Sequence, residues 1–508
     1  MARFARNGGS GLFLGHDFIF ARLVPRRFFM NTTSILPSKF DCPRNLVPHV
    51  QKVFAGEYAP PVEIPAPNTI LDLGANVGAF TLWAKARWPE ARVYAYEPVE
   101  STFHLFQANV AGLAGVFAHH LAVSASAPVD FNDYEDIALG KNNCGEASFY
   151  DLGGQTRETE LVERVHPLNL ASAEFVKLDT EGCELEILQN LDLTLTNVIA
   201  LEWHRAADRK KIHQLLTMAA PDFICVKDQK TAPERGLLLY VRGSLAGAKA
   251  WRKLFLAVPF DHGLTFGFNE SYIRLLMQPP LPLKRGSVFG DSLVPRARNA
   301  LIAEFMDSFD CTHLLFIDTD LKFSTAQVLR ICSHDVPIVG GCYAKKIKGP
   351  AQWVLNTDPD FPQPEASGLQ RVRFNGTGFL CIRKDVPERM IAACPELAYQ
   401  PDHRPGEVEH DLFSVGVYRA PGVAADVPGR YLSEDWYFCQ RALDLGIPVY
   451  ADTKVVPWHT GEMDFPSEAT TPPPSPQPQG AADGDASAGI IPAGPVGEAV
   501  QAAVAERA

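Results

Sequence analysis

The sequence predicts an α/β protein of two domains in series, and three observations carry that prediction. Apolar strand-like runs alternate with helical patterns through residues 68–245. The same strand-first alternation restarts at Lys253–Phe260 and continues to about residue 466. A bridge of small residues, Ser244–Ala250, lies between the two. Strands that alternate with helices build parallel sheets with crossover connections. Two units of about 200 residues each fall within the usual domain range. The expected organisation is an N-terminal extension at 1–40, a first domain at 41–245, a linker at 246–252, a second domain at 253–466 and a tail at 467–508.

The elements follow in order. In the first domain, strands are expected at Asn68–Gly74, Ala91–Glu97, His119–Ser124, Glu174–Asp179 and Thr196–His204, with helices at 78–88, 99–113 and 182–190. In the second, strands are expected at Lys253–Phe260, Thr312–Asp318, Val336–Tyr343, Thr377–Asp385 and Pro448–Val455, with helices at 324–332 and 433–446. The first 35–40 residues are basic (Arg3, Arg6, Arg22, Arg26, Arg27) and without clear periodicity, so little order is expected there. No aromatic residue follows Phe465, and 467–508 holds seven prolines with many Ala and Gly. Such a segment buries too little apolar surface to offset its ordering entropy, so it reads as a disordered tail with a short helix near 497–507.

Composition excludes several classes. Lys and Arg number 47 against 59 Asp and Glu, a net charge of −12, so nucleic acid is not the expected partner. No run reaches the roughly 18–20 apolar residues of a membrane span. The apolar stretch Gly11–Leu23 is broken by His16, Asp17 and Arg22 and makes a poor signal peptide. Ten cysteines with no C-x-x-C pair suggest neither a zinc site nor a disulfide framework. A reducing compartment, the cytoplasm, is the expected location.

In the first domain an apolar strand ends at Asp72 in Ile70–Phe80 (ILDLGANVGAF) and runs through a glycine-rich turn into a helix. Glycines let a backbone approach a ligand closely, and a helix N-terminus follows. A second strand ends at Glu97, 25 residues after Asp72, where an acid is placed to hold a ribose diol. Strand, turn, helix, strand and acid in that order point to a nucleoside cofactor held by Asp72, Gly74, Asn76, Gly78 and Glu97. In an open parallel sheet, ligands sit beyond the carboxyl ends of the strands. Asp179 and the Glu202–His204 pair fall at such ends too, so all these groups converge on one edge.

These segments resemble a known family. Asp72–Phe80 and Tyr94–Pro98 look like the first motif and ribose-binding acid of class I S-adenosylmethionine methyltransferases, whose sheet is Rossmann-like. Val176–Leu188 (VKLDTEGCELEIL), with Asp179, Glu181 and Gly182, resembles the K-x-D-x-E-G-x-E block of FkbM-type methyltransferases. Ala200–His204, Val53–Tyr58 and Lys141–Ser148 fit the same pattern, so the likeness covers about 45–245. It implies O-methylation of a sugar or natural-product hydroxyl with S-adenosylmethionine. An attacking alcohol needs a proton acceptor, for which His204 and Asp179 are the candidates and Glu181 the alternative. Glu181 could equally complement a helix dipole, and His204 could be a hydrogen-bonded strand end.

In the second domain, Thr312–Asp320 is an apolar strand that ends in D-x-D. Carboxylates at i and i+2 of a strand end point to one side and can share a divalent cation that neutralises a diphosphate. The motif alone is weak, since Asp358/Asp360 and Asp483/Asp485 repeat it. Ser433–Trp436 opens a helix and Trp458–Gly461 follows the last strand. Together with Val294–Asn299, Gly340–Lys346 and Gly376–Gly378, this set resembles GT-A glycosyltransferases over about 253–466. That resemblance implies a nucleotide-sugar donor, Asp318 on ribose or metal, and Asp320 and His459 on the metal. It also implies Asp435 as acceptor base if the reaction inverts. An imidazole ligand favours Mn²⁺ over Mg²⁺. Arg296, Arg298 and Lys345 would meet phosphates or be ordinary surface charges, and Trp353 would stack on a sugar or fill the core.

The expected activity is therefore double: methyl transfer to a hydroxyl, and sugar transfer to a glycan or hydroxylated small-molecule acceptor. Two rivals stay open: a second domain that only binds carbohydrate, and a methyltransferase acting on a peptide or lipid. The sequence does not reveal the oligomeric state.

Overall fold

The computed structural model describes residues 40–465 except 140–146, 149–157, 219–221, 261–262, 348–350, 362, 403, 421, 425 and 461–463. The expected N-terminal extension, the tail and most of Lys141–Ser148 lie outside the described residues. Two large sheets carry the chain. The first has seven strands in the spatial order Val116–His119, Arg92–Tyr96, Thr69–Leu73, Phe175–Leu178, Val198–Trp203, Arg235–Arg242 and Phe223–Ala232. Five are mutually parallel, as their buried apolar runs require. The last two form an antiparallel hairpin at the edge, which the strand–helix alternation does not reveal. Its outer strand loses burial toward Lys230 and Thr231, a polar edge that guards against further pairing.

The core of this sheet packs on both faces. On one, Phe80 and Trp88 from the helix Ala79–Arg87 and its end meet Phe175 at centroid separations of 5.7 and 5.6 Å, and Trp83 packs on Phe80 and Trp88 at 5.5 and 5.6 Å. On the other, Leu71, Leu178, Leu201 and Trp203 are buried with Ile187 and Ile212. Each such side chain contributes about 1.5–3 kcal/mol. The expected strand His119–Ser124 splits. Val116–His119 ends the large sheet, while Ala122–Val123 joins a small sheet with Asp133–Ala138 and Thr159–Val165.

The second sheet has eight strands in the order Leu283–Phe289, Leu254–Phe260, His313–Ile317, Phe379–Arg383, Ile338–Gly341, Val449–Asp452, Leu369–Asn375 and Leu355–Thr357. It is mixed, because Phe379–Arg383 runs antiparallel to both its neighbours. The helix Val294–Met306 covers one face, where Phe255, Leu301, Phe305, Leu314 and Phe374 form a core. Trp353 packs against that core. Among the described residues no helix is long and apolar enough to cross a membrane, and the nine described cysteines are free.

The two sheets are joined through side chains. Arg209, from the helix Ala206–Met218, pairs with Asp228 at 2.5 Å and with Asp307 at 2.7 Å. His213, one turn on, stacks on Phe309 with ring centroids 3.9 Å apart. The Trp251 indole N–H donates to the carbonyl of Asp310.

Candidate active site

The strand Thr69–Leu73 delivers its chain to the carboxyl edge of the first sheet, where Gly74 and Asn76 adopt left-handed backbone (φ +77° and +50°). At Gly74 only glycine fits, since a Cβ would stand 1.9 Å from the Asp179 carbonyl oxygen. Asn76 holds its own turn by accepting from the Val77 N–H at 2.7 Å, and its backbone N–H donates to the Glu97 carboxylate at 2.8 Å. The Val99 N–H donates to the other Glu97 oxygen at 3.2 Å. Burial raises the Glu97 carboxyl to about 7, against the opposing pull of those two N–H groups and Lys177.

These residues line one hollow, with about 630 Å³ of open space when adjoining solvent is included. Gly74, Asn76 and Glu97 form one wall, Asp179, Thr180 and Glu181 another, and Leu121, Ala122, Val123 and Ile137 an apolar side. Asp72 and Gly78, expected as cofactor ligands, do not line it. Asp72 is wholly buried behind the turn, where it accepts from the Thr81 hydroxyl at 2.6 Å and pairs with Lys177 at 3.3 Å. The register explains the pair, since Asp72 and Lys177 are direct neighbours on parallel strands. Gly78 starts the helix at φ +86°, and a Cβ there would strike Phe106 at 2.6 Å. Both residues shape the turn, and neither lines the hollow.

The opposite wall is crowded with acid. His204 lies behind Asp179 and Glu181, with Nε2 3.3 Å from Glu181 and 3.7 Å from Asp179. Its Nδ1 is 3.0 Å from Glu184. Burial alone would lower the imidazole, but Glu184, Glu181 and Asp179 together raise it to about 9. Burial pushes Glu181 to about 7 and Glu202 to about 8. Burial would also raise Asp179, but Lys177 and His204 bring it below the usual carboxylate value. Glu184 accepts from the N–H groups of Thr180 and Gly182, which fastens the turn that carries Glu181 at φ +51°.

The sequence reading gave no role to three of the partners. Lys177 stands two residues before Asp179 and so on the same side of the strand, a signal present in the sequence. The Tyr58 hydroxyl donates to Asp179 at 3.2 Å from a segment 121 positions away. Arg235, which pairs with Glu181 at 3.0 Å, comes from the unforeseen hairpin.

In the second unit, Asp320 and His459 meet at 3.3 Å, because Leu321–Lys322 pairs with Trp458–His459 in a short ladder. The His459 Nδ1 lies 2.7 Å from the Ala344 carbonyl. Burial would raise the Asp320 carboxyl, but His459 and Lys346 lower it. Asp318 does not join this pair. Its carboxylate is held at 2.8 Å by buried Arg298. Asp435 accepts from the Trp436 N–H at 2.8 Å and from the Ser433 hydroxyl, the contacts of an acid in a first helical turn. Arg296 pairs with Asp291 on the surface.

Comparison with known proteins bears on the first unit. Residues 72–225 match the family model for the methyltransferase FkbM domain. The chain thus carries an FkbM methyltransferase domain, built on an α/β fold with parallel strands. It is similar to Methyltransferase 1 of Beauveria bassiana (strain ARSEF 2860), 26% identical over 25% of this chain and 60% of that protein. It is also similar to Methyltransferase sdnD of Sordaria araneosa, 26% identical over 30% of this chain and 73% of that protein. The chain therefore spans little more than half of the first relative. Among solved structures, a methyltransferase FkbM from Methylobacillus flagellatus KT is 14% identical and covers 36% of this chain and 45% of its own, with a TM-score of 0.25. The second sheet lies outside the matched residues.

Proposed function

We propose that the first unit transfers a methyl group from S-adenosylmethionine to a hydroxyl oxygen of a sugar or natural-product acceptor. One observation carries this reading. Glu97, with both carboxylate oxygens fixed by backbone N–H groups, faces the same hollow as the acid wall of Asp179 and Glu181. The residues fit the nucleoside cofactor. Glu97 is aimed to accept from a ribose diol, Gly74 and Asn76 let the backbone approach closely, and Leu121, Ala122 and Val123 offer apolar contact to a base. When bound, the cofactor supplies an electrophilic methyl group. An acceptor hydroxyl that took up this methyl group would have to give up its proton to the protein. Asp179 and Glu181, with His204 behind them, face the acceptor oxygen, and their carboxylates draw off that proton. Positioning of the two partners supplies much of the rate. Incubation with S-adenosylmethionine labelled in its methyl group and a panel of hydroxylated acceptors tests this. Label recovered as an alkali-stable ether is the expected result, and label found only as a base-labile ester or amine contradicts it.

A second reading concerns the other unit, which we propose transfers a sugar from a nucleotide sugar. The Asp320–His459 pair favours it. Asp320 Oδ1 is buried without a hydrogen-bond partner, and His459 Nε2 faces the same carboxylate. Two such donors fit a divalent cation, with Mn²⁺ preferred. Arg298 keeps Asp318 off that cation and leaves it to a ribose. Glu434 interacts electrostatically with Arg298 and Asp318, and Asp435, next in the chain, is the acceptor base of this reading. UDP with Mn²⁺ should bind the wild type and not Asp320→Asn. A unit that binds free glycan but no nucleotide is the carbohydrate-binding alternative.

A further inference from the structure

We propose that Asp179, Glu181 and His204 bind one divalent transition-metal ion on the acceptor side of the cofactor hollow. Among the described residues, these three form the one group of His, Cys, Asp or Glu side chains whose ligand atoms all lie within 4.8 Å of one another. His204 Nε2 stands 3.3 Å from Glu181 Oε2 and 3.7 Å from Asp179 Oδ1. Neighbouring ligands on an ion with bonds of about 2.0–2.2 Å stand roughly 3.0–3.6 Å apart, so small side-chain shifts close the site.

A second observation is independent of the acids. His204 is 6% exposed, and its Nε2 has no hydrogen-bond partner. Leaving such a group unsatisfied costs about 1–3 kcal/mol. Nδ1 lies 3.0 Å from Glu184, and Nε2, which faces Asp179 and Glu181, is the nitrogen that would take an ion in place of a proton. A carboxylate that orients a histidine toward a metal is a common supporting arrangement. Tyr58 does the same for Asp179, engaging Oδ2 and leaving Oδ1 toward His204.

Charge and strain agree. Asp179, Glu181, Glu184 and Glu202 crowd this wall, and among the described residues their ion pairs are with Lys177, Arg235 and His204. A dication in place of the imidazole proton adds positive charge where these carboxyl groups meet. Glu181 keeps a left-handed backbone that costs a non-glycine residue about 1 kcal/mol, and such strain persists where a side chain must point one way. One imidazole with two carboxylates suits Mn²⁺, Fe²⁺, Co²⁺ or Zn²⁺ better than Ca²⁺. Three protein ligands leave positions for an acceptor oxygen. That use of the ion rests on the methyl-transfer reading, whereas binding of the ion does not.

The test titrates full-length protein with Mn²⁺, without cofactor, and follows the free ion by electron paramagnetic resonance. The Asp320→Asn, His459→Gln double variant removes the second unit's candidate ligands and should still bind one equivalent. Added to that background, His204→Gln or Glu181→Gln should each weaken binding on the order of tenfold or more. Spin-echo modulation from an imidazole nitrogen on the bound Mn²⁺, read in the double variant, needs no change in the trio. Absence of that modulation, or equal affinity in both added variants, overturns the proposal. A protein that binds Mn²⁺ here but no S-adenosylhomocysteine keeps the ion site and removes the methyl-transfer reading.

Discussion

Gly74 shows how much a single residue can encode. The turn after the first strand was legible from its glycines, and the structure adds the reason: the loop touches the Asp179 backbone, so no side chain fits. Gly74→Ala should therefore cost roughly 2 kcal/mol or more through both the clash and the positive φ, read as a fall in melting temperature. An unchanged melt would show that the loop yields freely. Glu97 was equally legible, as the acid that ends the second strand. For Asp72 and Gly78, spacing places them correctly in the chain but does not show that Asp72 pairs with Lys177 or that Gly78 stands against Phe106. The same holds for Asp318, which Arg298 draws away from the Asp320–His459 pair.

At the scale of elements, the strand–helix alternation predicts the parallel strands and misses the antiparallel hairpin that follows them. A hairpin strand such as Phe223–Ala232, half polar and at an edge, carries little periodic signal. That hairpin nonetheless supplies Arg235 to the acid wall. The helix Ala206–Met218 makes a pH-dependent contribution. Its His213 is stacked on Phe309, lies 3.1 Å from the Tyr240 hydroxyl and faces Lys384 and Arg209. Burial first, and then those two cations, lower its pKa from 6.5 to about 3. Above pH 6.5 the imidazole is neutral both folded and unfolded, so its full contribution is present there. As pH falls from 6.5 toward 3, the unfolded chain takes up a proton that the folded chain refuses, and stability declines. At pH 5 the loss from this group is about 2 kcal/mol. His313, lowered to about 4 chiefly by burial, acts in the same direction. Melting curves from pH 8 to 5 should show the decline, and it should be shallower in His213→Gln. Parallel curves for the two proteins would remove His213 as the cause.

For the whole molecule, the junction between the sheets is the part least visible in the sequence. Composition marked Ser244–Ala250 as a bridge but did not reveal that Arg209, Asp228 and Asp307 lock the units together. Arg209→Ala leaves buried Asp228 without its guanidinium partner, and such losses cost roughly 3–5 kcal/mol. The expected outcome is a broadened or two-step calorimetric melt, with the units unfolding separately. A single sharp transition at the wild-type temperature would show that the junction carries no such load. That the chain builds a second large sheet was legible because a run of buried strands restarts at Leu254.

The claim on which most depends is that the hollow beside Glu97 holds the methyl donor. Calorimetric titration with S-adenosylmethionine of the wild type and of Glu97→Gln tests it most directly. One saturable site per chain is expected in the wild type. The variant should bind roughly ten- to a hundredfold more weakly, since hydrogen bonds to a charged carboxylate are worth about 1.5–3 kcal/mol. No binding by the wild type, or equal affinity in the two proteins, would contradict the account.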